Sequence, residues 1–155
     1  MNPSRTVLES SEHGPIMLRP AGVDIVLRPT DDSAGVPPGV TIHRALVSGR
    51  LLLLLCDLRA AETPETLFHV YLNLPKKGNQ ATHAKYFLAQ FNFFTAGRPG
   101  DTSIPVWQSI DVTHAVGTLA AQGTLETETT LTILAARPFD PESRPSVGRL
   151  AIVQQ

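Results

Sequence analysis

The chain has 155 residues, a net charge of −1, 42% hydrophobic residues and 17% charged residues. That is the size of one domain, with no basic stripe to grip a nucleic acid and no apolar run near the roughly 20 residues of a membrane-spanning helix. Thirteen prolines and eleven glycines beside so few charges suit many strands and turns better than helices, whose exposed faces carry abundant Lys and Glu.

Residues 1–15 are polar without a clear period and read as a flexible N-terminal tail, leaving 16–155 as a single domain. No apolar stretch follows Met1-Asn2-Pro3-Ser4-Arg5, so no signal peptide is expected. Val23 to Leu27 is a short strand stopped by Pro29, and 30–39 is a loop by composition. Val40 to Leu46 reads as a second strand, joined through Ser48-Gly49 to a third over Arg50 to Leu58. The run Leu51 to Leu55 is too short to span a membrane and reads as a strand buried on both faces.

Over Leu67 to Pro75, Phe68, Val70, Leu72 and Leu74 alternate with His69, Tyr71 and Asn73, the period-two signature of a half-buried strand. A polar loop follows over 76–83. Lys85 to Thr95 is the next strand, with Phe87, Ala89, Phe91 and Phe93 on one face. Four of the six phenylalanines sit here, so that row is expected to face the core. Asp111 can cap a short helix carrying Val112, Val116 and Leu119 at i, i+4 and i+7, with Gly123 as its stop. Thr129 to Ala136 and Val147 to Val153 are the closing strands. The sum is an all-β chain: an antiparallel β-sandwich of about seven to nine strands with jelly-roll or Greek-key, cupredoxin-like connections and one short helix.

The chemistry-bearing residues are sparse. No glycine-rich turn joins a strand to a helix, and no G-x-S-x-G elbow occurs. Cys56, the single cysteine, lies in an apolar strand, where burial keeps a thiol inert. One cysteine allows no internal disulfide and fits a reducing compartment, so the expected location is cytoplasmic. The five histidines fall at 13, 43, 69, 83 and 114 with no metal-ligand spacing. His69 points out of its strand and His83 sits in the adjoining loop, so the two can approach, with Cys56 or Met17 as a further ligand. His69, His83 and Cys56 are therefore the candidate metal set, and copper is the candidate metal. Otherwise no cofactor is expected.

Phe68-His69-Val70-Tyr71-Leu72-Asn73-Leu74-Pro75 resembles the strand that names the KFDV region of polyphenol oxidases. Tyr86-Phe87-Leu88-Ala89-Gln90-Phe91 stands where that family has a Glu-Phe-Ala-Gly-Ser-Phe strand. Asp111-Val112-Thr113, Leu131-Thr132-Ile133-Leu134 and Val147-Gly148-Arg149-Leu150 follow in the family's order. Leu67 and His69 replace the Lys and Asp of the named motif, Tyr86 replaces the Glu of the second strand, and the Cys-x-x-Cys of some fungal relatives is absent.

The chain is thus similar to the C-terminal β-sandwich domain of the tyrosinase and polyphenol oxidase family. The resemblance implies a non-catalytic shielding or assembly domain or subunit, packed over a tyrosinase-like catalytic domain that carries out phenol oxidation. A dinuclear copper centre needs about six imidazoles from a helical bundle, which this chain cannot supply. The expected contact residues are Tyr71, Tyr86, Lys76, Lys77, Asn79 and Arg98. The alternative reading is a small copper-binding or copper-delivery protein. No nucleic-acid or membrane partner is expected, and a homo-oligomer is compatible with the composition.

Overall fold

In a computed structural model the described residues are 5–11, 14–30, 35–75, 83–100, 104–123, 125 and 128–155. Among these residues, nine strands and two helices follow one another along the chain. They are β1 (Arg5–Ser10), β2 (Ile16–Met17), β3 (Val23–Pro29), α1 (Pro38–Ser48), β4 (Leu51–Arg59) and β5 (Phe68–Leu72). Then come β6 (Phe87–Phe91), β7 (Trp107–Asp111), α2 (Thr113–Ala121), β8 (Thr129–Ala135) and β9 (Ser146–Gln154), with 3-10 turns over Ala84–Tyr86 and Pro141–Ser143.

All pairings between strands are antiparallel, and one continuous sheet runs β6-β5-β8-β3-β1-β9-β4-β7, with β2 added beside β9. The sheet is nearly closed. Gln108 Nε2 of the edge strand β7 donates to the Asn92 carbonyl, just past the other edge strand β6, at 2.9 Å. The fold is all-β, sandwich-like or barrel-like, as the alternating patterns predict. Leu8, Leu27, Leu53, Leu55, Phe68, Leu72 and Ile152 fill its interior. Helix α1 packs on β1 and β3, and α2 packs on α1 and β6.

Three readings need correction. Residues 5–10 are not a tail. Val7 and Leu8 are buried together at a bulge, and β1 lies in the middle of the sheet between β3 and β9. The polar residues around that pair hide its apolar content.

Val40 to Leu46 is not a strand but part of α1. Pro38 sits at the first helical position, where its missing N–H costs nothing. The buried set Gly39, Thr41, Ile42 and Ala45 follows helical spacing, while Val40 and Val47 face outward. The short sequence supports both periods, and packing against β1 and β3 decides between them. The structure therefore carries two helices among the described residues, not one, and α1 takes the place of the first arm of the expected hairpin.

The third correction concerns Phe87. Ala89, Phe91 and Phe93 turn inward as expected, but Phe87 is exposed. Val70 pairs with Ala89 and Tyr71 with Phe87, so Leu88 is an extra residue in β6. This bulge buries Leu88 and Ala89 in succession and flips Phe87 to the outer face. The leucine run in β4 is likewise buried mainly on one face, with Leu52 and Leu54 only half-buried.

Candidate functional site

Strand alternation builds the site. Phe68, Val70 and Leu72 of β5 point into the core, which sends His69 and Tyr71 to the outer face. The bulge at Leu88 brings Phe87 beside them. Register then sets Phe87, Tyr71, Thr132 and Asp24 side by side across β6, β5, β8 and β3.

Tyr71 is the hub of the aromatic end. Its ring lies edge-on to His69, His83 and Phe87, with centroids 6.3, 5.7 and 6.0 Å away. His69 and Phe87 meet at 5.6 Å and 90°. The Tyr71 hydroxyl is 3.4 Å from His69 Nδ1. Partial burial pushes the Tyr71 phenol above its ordinary pKa, because the phenolate loses hydration there. His69, Tyr71, His83 and Leu134 line a recess of about 370 Å³.

The other end is polar. Asp24, Asn73, Tyr86, Glu128, Thr130 and Thr132 line an adjoining recess of about 310 Å³. Thr132 Oγ1 donates to Asp24 Oδ1 at 2.6 Å, and Asn73 Oδ1 accepts the Thr130 N–H at 2.9 Å. The whole face therefore passes from stacked rings to fixed hydrogen-bonding groups. Tyrosine and histidine rings of this kind suit protein contact, since each presents an apolar body and a polar tip.

The expected metal set is not brought together. His69 and His83 share one recess, but Cys56 lies on β4, opposite Trp107 of β7 and Arg149 of β9. Burial raises the Cys56 thiol pKa; Arg149 opposes this and Asp57 adds to it. Among the described residues no three His, Cys, Asp or Glu side chains come together as a metal site. The described residues bring two imidazoles and one phenol to this recess.

The other expected contact residues are scattered. Tyr71 is the centre of the outer cluster. Tyr86 is half-buried against the core and lines the polar recess instead. Arg98 is pinned by its Nη1 to the Ala61 and Ala60 carbonyls at 2.6 and 3.3 Å, a clamp on the backbone. Lys76, Lys77 and Asn79 lie outside the described residues. Phe87, Thr132 and Asp24 were not foreseen in the face. Strand register brings them there, and the bulge leaves no mark in the hydrophobic pattern.

No protein-family model matches the chain, and no curated protein matches it at a significant level. Solved structures do share its fold. It is similar to latent apple tyrosinase at 13% identity, with a TM-score of 0.54 over 91% of this chain and 27% of that one. Latent aurone synthase, a polyphenol oxidase, matches at 12% identity over 90% of this chain and 24% of that chain, with a TM-score of 0.46 for the protein from its natural source. Its recombinant form gives 0.43 at the same identity and coverage. The chain thus spans about a quarter of the length of the solved chains it matches. The resemblance read from residues 40–153 holds at the level of the fold.

Proposed function

We propose that this chain is a shielding or assembly domain for a tyrosinase-like type-3 copper oxidase, and that phenol oxidation belongs to the partner domain or subunit. The observation that carries the reading is the shared fold, which takes in 91% of this chain but only 27% of the apple tyrosinase chain. The outer face around Tyr71, with His69, His83 and Phe87, is the proposed contact surface. Its ring cluster offers apolar area with polar tips, the composition that anchors protein interfaces.

The test is direct. The type-3 copper oxidase of the same genome, trimmed to its catalytic domain, is mixed with this chain, and binding and catechol oxidation are followed. The expected result is a complex with slowed oxidation, relieved when Tyr71 and Phe87 are replaced by serine. Neither binding nor any change in rate would end the proposal.

We also propose that the chain holds no copper of its own. Metal analysis of protein prepared with copper is expected to give a stoichiometry near zero. One equivalent of copper that disappears in the His69→Ala, His83→Ala double variant would restore the copper-delivery reading.

A further inference from the structure

Three non-glycine residues among those described hold a left-handed backbone: Asp57 at φ 56°, Asn73 at φ 51° and Arg144 at φ 47°. Asparagine and aspartate visit that conformation now and then, but arginine does so less readily, and strain of this kind collects at functional sites. Asp57 and Arg144 line the same recess of about 410 Å³, together with Met17, Arg59, Ser146 and Gly148. That volume lies in the usual range for small-molecule sites, roughly 300 to 1,000 Å³.

Close backbone approach and hydrogen bonds shape one side of the recess. Asp57 stands opposite Gly148, where an added Cβ would lie 2.8 Å from the Asp57 Cβ. Its carboxylate accepts from Arg59 Nε at 2.8 Å, and Arg59 Nη1 donates to the Arg98 carbonyl at 3.1 Å. The remaining guanidinium N–H groups of Arg59 have no partner among the described residues. Arg144 ends the 3-10 turn Pro141–Ser143, a position that normally goes to glycine or asparagine. Its guanidinium has no polar partner among the described residues. Among the described lining residues, two guanidinium groups and one carboxylate leave one positive charge over, and Met17 adds an apolar wall.

From this arrangement we infer that the recess between β2, β4 and β9 binds a small organic monocarboxylate. Arg144 is the anchor for the carboxylate, since a planar guanidinium matches it with two parallel hydrogen bonds. Arg59, fixed by Asp57, supplies the second donor, and the apolar body of the acid rests on Met17. The site is separate from the outer face around Tyr71.

The test is a titration of the full chain with 3-phenylpropionate and with its neutral amide, followed by ¹H–¹⁵N NMR. The acid is expected to move the signals of Arg59, Arg144 and Gly148 and to bind at least tenfold more tightly than the amide. Arg144→Gly should weaken the acid at least tenfold while raising the thermal midpoint, because glycine relieves the left-handed strain. Equal binding of acid and amide, no movement of those signals, or undiminished affinity in Arg144→Gly would overturn the inference.

Discussion

Phe68 is the ring on which the interior turns. It stacks on Phe91 at 5.6 Å and meets Phe93 and Phe139 edge-on at 5.2 and 5.4 Å. Phe68→Ala should therefore cost about 3 to 5 kcal/mol, read as a lower urea midpoint with an unchanged slope. Asp111 acts at the start of α2. Its carboxylate accepts the Thr113 N–H at 3.0 Å, and hydrogen bonds from Thr113 chiefly hold its pKa below the ordinary value, with Arg50 assisting. A depressed carboxyl pKa contributes stability above the unfolded value, and that contribution is lost as pH falls through the folded value. Denaturant melts between pH 6 and 3 should show this acid-side loss, and Asp111→Asn should make it shallower. Tyr71 has the opposite sign. Its raised pKa contributes stability below the ordinary phenol range, lost as pH climbs beyond it. Spectrophotometric titration should find one phenol ionising late.

At the scale of elements, α1 separates what pattern can say from what packing decides. A strand would put Val40 and Ile42 on one face, whereas the helix buries Ile42 and exposes Val40. Ile42→Ala should cost about 2 to 4 kcal/mol, and Val40→Ala well under about 1 kcal/mol. Similar losses at both sites would return the segment to a strand. Much of the sheet was legible beforehand. The alternation at Phe68–Leu72 placed both faces of β5 correctly, and Val116 and Leu119 sit buried under α2 as their spacing implies. What stayed hidden has a common cause. The bulges at Val7 and Leu88 each put two neighbouring residues inside, which breaks period two without leaving a turn residue behind. The pair His69 and His83 was legible as neighbours because strand and adjoining loop are close along the chain. Cys56 was grouped with them on residue type alone, and strand order sends it to a different part of the sheet.

On the scale of the whole molecule, the sheet has two edges, β6 and β7, and one middle, where β1 lies between β3 and β9. Removing residues 1–10 should therefore not trim a margin but divide the sheet. The expected result is loss of dispersed NMR signals and of the cooperative thermal transition, and a shortened chain that keeps both would contradict the topology. The pairing of Arg5 with Gln154 and of Leu8 with Ile152 has a temporal consequence as well. Strands so distant in sequence form contacts of high order, which slow folding because a long loop closes before any pairing rewards it. During synthesis on the ribosome, β1 can pair with β3 early but waits for β9, its other neighbour, until the remaining strands of the sheet have been made. Until then the second edge of β1 stays unpaired, so the newborn chain is open to mispairing at the segment that later becomes the centre of its sheet.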